Sequence, residues 1–481
     1  VDSFHGYLCR VSINLQDTIA APATPSGVGA LAVIRLSGPD AFAIADLVFR
    51  APAREPLTNA TSHTLHYGHL VDPKADDAPV DEVMAAVFRA PRSFTTEDTV
   101  EFSCHGSPYV VEQALRVILE AGARAAGPGE FTLRAFLHGR LDLAQAEAVA
   151  DLIAADSAGS HRVAMGQLRG GISQRIAALR QQLVDFAALV ELELDFSEED
   201  VEFADRERLE NLVRELRDVL DALIRSFRLG NALRNGVPTV IAGRPNAGKS
   251  TLLNTWLQEE RAIVSDIPGT TRDTIEEVLH LDGMAFRLID TAGIRDAADA
   301  IERIGVERTL SKIEESTLLV FVFDVLTTSQ EELQNDLVRF RRDGLTVLAV
   351  GNKVDRDADG VLRTAFGDEQ AGIPLHWLSA ASGEGLPALS DALVAAITQD
   401  SASAEGGSAD QTLVSNQRHH AALLAADSAL ADVLNGLADQ RSGELVALDI
   451  RQSLEALGEI TGEVTNEELL GSIFGRFCIG K

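Results

Sequence analysis

Apolar positions along this chain change their spacing three times, and each change marks a different kind of architecture. From Asp17 to about Asp142, short β-type runs such as Leu31 to Leu36 and Val83 to Phe88 are separated by Gly and Pro punctuation, the pattern of an α+β domain. Between Leu141 and Ala232 the period becomes helical. Leu209, Leu212, Val213, Leu216, Leu220, Leu223, Ile224 and Phe227 recur at three-and-four spacing, which predicts long amphipathic helices. From Val237 to Ile397 apolar strands (Thr239 to Ala242, Phe286 to Ile289, Leu318 to Phe323, Leu345 to Val350, Leu375 to Leu378) alternate with helical segments, as in a parallel sheet covered on both faces. A Ser/Ala/Gly-rich stretch, Asp400 to Asp410, then reads as a flexible linker. Helical spacing resumes at Leu423, Leu430, Leu434 and Leu437 and continues through Leu445, Leu448, Leu454 and Leu457. The expected organisation is a multidomain α/β, α+β and all-α chain. Its parts are an N-terminal extension (1–16), an α+β domain (17–140), a helical segment (141–234), an α/β domain (235–398), and a linker with a second helical segment (399–481). No internal repeat is visible.

Length and charge narrow the function. At 481 residues the chain holds roughly three domains of about 150 residues each. A formal charge of −31 argues against wrapping nucleic acid by bulk attraction, because phosphate binding rests on Lys and Arg that displace counterions. Any RNA contact is therefore local or shared with a partner. Glu191 to Glu210 carries ten acidic residues against Arg206 and Arg208, a solvated helix face or loop. Cys9, Cys104 and Cys478 are too few and scattered for a disulfide framework or a four-ligand zinc site, which fits a reducing cytoplasm. No uninterrupted apolar run approaches the ~20 residues that span a bilayer. The first residues have neither the order of a signal peptide nor an Arg-rich, acid-poor leader, so a bacterial cytoplasmic protein is expected.

The chemistry is concentrated between Gly243 and Ala380. Gly243-Arg-Pro-Asn-Ala-Gly-Lys-Ser250 follows a predicted strand and precedes a helix beginning near Thr251, the context a phosphate-binding loop requires. Its backbone N–H groups, including those of Asn246, Ala247 and Gly248, close on phosphates, Lys249 reaches the outer phosphates, and Ser250 ligates Mg²⁺. Further on come Gly269-Thr270-Thr271-Arg-Asp273, then Asp290-Thr291-Ala292-Gly293 after a strand, then Asn352-Lys353-Val-Asp355 after another, and finally Ser379-Ala380 with Ala381 beside it. Five motifs in this order predict a GTP-binding and GTP-hydrolysing protein. Asp355 accepts from guanine N1 and the exocyclic amine, which adenine cannot match, and the unpaired carboxylate rejects ATP. Thr271 is the expected switch threonine on Mg²⁺, with Asp290 acting through water and Gly293 on the γ-phosphate. Where Ras-like enzymes carry a water-orienting glutamine, this chain has Ile294, so either another polar side chain, with Arg295 and Glu302 nearby, positions the water, or catalysis waits for a partner. Taken by itself, the nearby Glu302 reads as a surface helix residue.

Asn246 in the phosphate loop, the tail Phe477-Cys-Ile-Gly-Lys481 and the segment Gly127-Pro-Gly-Glu-Phe-Thr-Leu-Arg-Ala-Phe-Leu-His-Gly-Arg-Leu-Asp-Leu143 closely resemble the MnmE (TrmE) family of tRNA-modification GTPases. The resemblance runs from Asp17 to Lys481. It implies an N-terminal tetrahydrofolate-binding domain and a GTPase domain inserted within a helical domain. It also implies a homodimer whose G domains meet during hydrolysis. In place of the missing glutamine it implies a K⁺ ion, bound by Asn246 and by the loop carrying Ser265, Asp266, Ile267 and Pro268 through Thr270 (ligands Ser265, Ile267 and Thr270). Glu302 then orients the attacking water, alongside Lys249. A folate, 5-formyl- or 5,10-methylene-tetrahydrofolate, is implied at Arg35, Glu101, Arg140 and Lys481. Arg140 stands where close relatives often have Lys, which keeps the charge and changes its geometry. Cys478 is assigned to the modification chemistry; Cys-Ile-Gly-Lys lacks the aliphatic residue and terminal signal of a prenylation box.

The implied output is modification of the wobble uridine at carbon 5 (an aminomethyl or carboxymethylaminomethyl group) together with an FAD- and NADH-dependent partner of the MnmG type. That partner carries most of the tRNA contact, and no membrane is involved. Two alternatives belong to other classes: a ribosome-assembly RNA-binding GTPase, which predicts a KH-type Gly-x-x-Gly loop not found here, and a folate carrier with a regulatory G domain.

Overall fold

The computed structural model describes residues 16–52, 55–195, 206–261, 277–289, 313, 316–342, 344–357, 359–398 and 413–480. The linker at 400–410, the centre of the acidic stretch, Lys481 and two of the five nucleotide motifs lie outside these residues. The chain divides into two compact units, Val1–Ala150 with Gly458–Lys481, and Asp151–Leu457.

The first unit begins with β1 (Ile19–Pro22), β2 (Leu31–Ser37), α1 (Ala41–Val48), β3 (Phe49–Arg50), β4 (Thr64–Asp72), β5 (Ala78–Phe88), β6 (Thr99–His105), α2 (Pro108–Glu120), β7 (Arg124–Ala125), α3 (Glu130–Leu137) and the start of α4 (Leu143–Ala154). The strands form a seven-stranded sheet in the order β3-β4-β5-β6-β2-β1-β7. Alternation decides which face is covered. Ala32, Ile34 and Leu36 of β2 and Val100, Phe102 and Cys104 of β6 are buried with Phe42, Ile44, Val48, Val117 and Ile118 of α1 and α2. The intervening residues, Arg35 and Glu101 among them, therefore line the opposite face. Register sets those two directly across from one another, Arg35 opposite Glu101.

The second unit contains α5 (Ala158–Leu168), α6 (Gly171–Asp195) and α7 (Arg206–Asn235), followed by β8 (Val237–Gly243), α8 (Lys249–Arg261), β9 (Glu277–Leu281), β10 (Met284–Leu288), β11 (Leu318–Asp324), α9 (Gln330–Arg339), β12 (Thr346–Asn352), α10 (Val361–Phe366), β13 (Glu369–Gln370), β14 (Ile373–Trp377) and α11 (Leu386–Thr398). After these come α12 (Gln417–Ala438) and most of α13 (Gly443–Thr461), while the end of α13 and α14 (Glu467–Phe474) belong to the first unit. The sheet order is β13-β14-β12-β11-β8-β10-β9, with β10, β8, β11, β12 and β14 parallel. β11 shows why the sheet is covered on both sides. Its residues Leu318, Val320 and Val322 join a core with Leu252, Trp256 and Leu389, while Leu319, Phe321 and Phe323 join another with Leu333, Leu337 and Phe366.

This α/β domain is inserted between two helices that pack on each other. Arg217 of α7 pairs with Asp427 of α12 at 2.8 Å, and Phe227 stacks on His420 with ring centroids 4.1 Å apart. α12 is long and apolar enough by length and composition to cross a membrane. Here its Ala422, Leu423, Ala426, Leu430 and Val433 are buried. The chain's end returns to the first unit, where Phe474 packs with Leu133, Leu143 and Ala146 and Ile479 forms a β-bridge with Pro128.

Candidate functional site

The phosphate loop runs from the end of β8 to the first turn of α8, which starts at Lys249, two residues earlier than the sequence pattern implied. Asn246 takes a left-handed conformation with φ of 60°, tolerable for Asn because its short polar side chain bonds locally. The Lys249 ammonium donates to the carbonyls of Gly243 and Arg244 at 2.8 and 2.9 Å. Burial lowers its pKa from the usual lysine value.

Asn352, at the end of β12, joins three motifs. Its Nδ2 donates to the Ala247 carbonyl at 2.8 Å, and its Oδ1 accepts from Lys353 N at 2.8 Å and Ala380 N at 2.9 Å. The approach is so close that a Cβ on Gly248 would collide with Nδ2. Asp355 is exposed on the turn that follows. Ser379 and Ala380 are buried while Ala381 is exposed, and Thr255 of α8 donates to the Ala380 carbonyl at 2.7 Å.

Two supports were not singled out by sequence. Asp324, at the end of β11, accepts from Lys353 Nζ at 2.7 Å. Arg244 extends from the phosphate loop to α9, with Nε donating to Asp336 at 2.8 Å and Nη1 to Glu332 at 2.7 Å. Ser265, Asp266, Ile267, Pro268, Gly269, Thr270, Thr271, Asp290, Thr291, Ala292, Gly293 and Glu302 lie outside the described residues. Among the described residues no group of three His, Cys, Asp or Glu side chains is arranged to hold a metal.

A second cluster lies on the other face of the N-terminal sheet, where Phe131 and Phe94 pack with Ile19 and Ala21 of β1. Arg35 Nε donates to Glu101 Oε1 at 2.7 Å, and its guanidinium stands 5.0 Å from the centre of the Phe94 ring and 5.5 Å from that of Phe131. Arg140 is 5.3 Å from the same Phe94 ring and donates to the Ser93 carbonyl at 2.5 Å. Burial and the nearby Arg35 charge both depress the Arg140 pKa. Of the four residues expected to hold folate, Arg35 and Arg140 thus lie beside one aromatic side chain and Glu101 pairs with Arg35, while Lys481 lies outside the described residues. Cys478 is exposed, and its carbonyl accepts from Gly129 N at 3.4 Å.

Residues 18–140 match the family model for the GTP-binding protein TrmE N-terminus, and residues 143–478 match the MnmE helical domain. The tRNA modification GTPase MnmE of Cytophaga hutchinsonii is 52% identical over 97% of this chain and 98% of its own length. Those of Christiangramia forsetii and Salinibacter ruber are each 47% identical over 98% and 97% of the chain, covering 100% and 99% of the relatives. This chain belongs to the MnmE family of tRNA modification GTPases.

Within this MnmE chain, the loop bearing Phe94 is held from below by buried charge. Arg134 is 0% exposed and donates to Asp17 at 2.5 Å, to Glu97 at 3.0 Å and to Glu130 at 3.1 Å. Glu97 also accepts from Ser37 at 2.7 Å, and His138 Nδ1 donates to the Thr95 carbonyl at 2.8 Å. Burial by itself would raise the Asp17 and Glu130 carboxyls, but hydrogen bonds led by Arg124, with Arg134 adding to them, hold both below their ordinary values. Sequence offered one clue to this network: Glu130 and Arg134 are four apart on a helix, a spacing that permits pairing and says nothing of burial.

Proposed function

We propose that this chain couples K⁺-stimulated GTP hydrolysis to modification of carbon 5 of the wobble uridine in certain tRNAs. In this reading a folate one-carbon unit is joined to glycine or ammonia with the help of an FAD- and NADH-dependent partner of the MnmG type. The observation that carries it is Arg35 and Arg140 beside Phe94 with Glu101 paired to Arg35, in a chain that also bears a nucleotide site. An acceptor carboxylate, two cationic forks and an aromatic face fit a flat hydrogen-bonding heterocycle with an anionic tail. Glu101 would accept from the ring's N–H groups, Arg35 and Arg140 would hold its carbonyl or carboxylate oxygens, and Lys481 would add charge.

In the G domain, the backbone of Asn246 through Thr251 and Lys249 hold the phosphates, while Asn352, Lys353, Asp355, Ser379, Ala380 and Ala381 frame the guanine. Hydroxyl donors suit Mg²⁺ at Ser250 and Thr271, and the neutral oxygens of Asn246, Ser265, Ile267 and Thr270 suit K⁺. Bound there, the two ions offset charge developing on the transferring phosphate. Glu302 orients the attacking water, and the segments 265–271 and 290–293 respond to the γ-phosphate.

The protein works in the cytoplasm as a homodimer. Exposed Leu31, Leu65 and Tyr67 on the sheet of the first unit support a docking surface for a second copy. With a net charge of −31, the chain leaves most tRNA contact to the complex.

The test is mass spectrometry of tRNA nucleosides from cells lacking the gene, complemented with wild type or with Cys478→Ser. Loss of aminomethyl-type wobble uridines restored by wild type alone supports the reading and assigns Cys478 to the chemistry. An unchanged profile in the deletion strain leaves only the GTPase.

A further inference from the structure

The hairpin of β9 and β10 joins the nucleotide motifs to one another: residues 262–276 lead into Glu277, and Leu288 leads through Ile289 to Asp290. Among the described residues it is also the edge of the sheet, with β9 paired only to β10. Its turn, Asp282 and Gly283, is left-handed at both residues, with φ of 48° and 77°. That turn abuts the first turn of α5, where Gly159 N donates to the Gly283 carbonyl at 2.9 Å.

A helix leaves its first amides without partners inside the helix. In α5 the third, that of Ser160, is taken by the Ser157 side chain at 3.1 Å, within a reciprocal capping box. The second, that of Gly159, is taken by the hairpin. The β9–β10 turn is thus part of the N-terminal cap of α5. The fit excludes a side chain: a Cβ on Gly159 would stand 2.5 Å from the Gly283 carbonyl oxygen and 2.7 Å from Leu233 Cδ2. Leu233 sits near the end of α7, two residues before its last residue, Asn235. The neighbouring Arg234 pairs with Asp151 of α4 at 2.7 Å. The seat therefore involves the hairpin, α5 and α7 together.

We propose that Gly159 is a positioning residue through which the nucleotide state of the G domain reaches the helical domain. α7 runs through Gly236 directly into β8, a strand hydrogen-bonded on both sides, to β11 and β10. The hairpin, by contrast, lies in the chain between the two segments proposed to respond to the γ-phosphate, 265–271 before Glu277 and 290–293 after Ile289. When those segments rearrange, the hairpin carries its cap toward or away from α5, and α5 with α6 follows. A contact of one hydrogen bond and tight packing can be made or broken as a unit, and a relay of this kind needs such an element. The inference rests on the reading that GTP hydrolysis drives the modification.

The test uses the full-length chain and Gly159→Ala. Hydrogen exchange is measured at the α5 amides with GDP and with a non-hydrolysable GTP analogue, beside GTP turnover and, in complemented cells, the modified-uridine content of tRNA. Wild type should show α5 exchange that differs at least threefold between nucleotides. Gly159→Ala should lose that difference and at least tenfold of the modification, with turnover within twofold of wild type. Nucleotide-independent α5 exchange in wild type, or a variant that keeps both the difference and the modification, overturns the proposal. Because the added methyl meets backbone, Ser157→Ala is run in parallel. It weakens the cap without adding atoms, and should raise α5 exchange and lower modification severalfold; wild-type behaviour in both also overturns the proposal. If wild-type complementation itself leaves tRNA unchanged, the modification reading fails, and the exchange experiment still decides the relay.

Discussion

Replacing Asn352 by alanine is the sharpest test of how the nucleotide site is held together. The side chain is 2% exposed and makes three hydrogen bonds, to the Ala247 carbonyl, Lys353 N and Ala380 N. Ala247 and Ala380 are each 1% exposed, so water cannot substitute at those two groups without opening the site. The two buried groups left unpaired cost about 1–3 kcal/mol each and the third bond about 1 kcal/mol, so the loss should be about 3–7 kcal/mol. Asn352→Asp separates the two halves of the effect. It keeps the acceptor facing Lys353 and Ala380 but sets an oxygen against the Ala247 carbonyl, and should be at least as destabilising as alanine despite its shape. The readout is local, because the chain's two tryptophans, Trp256 and Trp377, both belong to the G domain. Urea unfolding followed by tryptophan fluorescence therefore reports that domain without the other unit. A loss below about 1 kcal/mol for alanine, or a neutral Asn352→Asp, would refute the claim that this residue ties the phosphate loop to the guanine motifs.

Arg134→Met should destabilise the N-terminal unit by about 3–5 kcal/mol at neutral pH, because three carboxylates lose a fully buried partner; amide exchange in β1 and β2 measures this. Asp17 and Glu130 have folded pKa values below their ordinary 3.8 and 4.5. The unfolded chain therefore binds more protons between those values and the lower folded ones. Their contribution is complete above about pH 4.5 and is lost as pH falls through the folded values. Wild-type exchange should accelerate in that acid window, and Arg134→Met should weaken the dependence, leaving the part that Arg124 supplies. A variant with the wild-type acid profile would contradict the network's role. Exchanging Na⁺ for K⁺ should accelerate GTP hydrolysis, and Asn246→Ala should abolish the gain with GTP affinity little changed. Equal rates in the two salts sink the potassium reading.

Sequence by itself determined what is local. The phosphate loop, the Asn-Lys-Val-Asp turn and the Ser-Ala pair are each read from adjacent residues, because the chemistry of each resides in one turn's backbone and a few side chains. Sheet type was legible for a related reason: continuous apolar runs such as Leu318 to Phe323 need burial on both faces, whatever their neighbours. Tertiary structure alone decided which distant residues meet. Arg35 faces Glu101 because of strand register, and a one-residue slip would send both to the covered face. Phe94 and Phe131 flank Arg35 only once the loop before β6 and the first turn of α3 are folded against the sheet. Asn352 reaches Ala247 across 105 residues, since parallel strands bring their C-terminal ends to one edge. The hairpin that caps α5 leaves no mark in sequence beyond two glycines, Gly159 and Gly283, whose meaning is a close approach between backbones far apart in the chain.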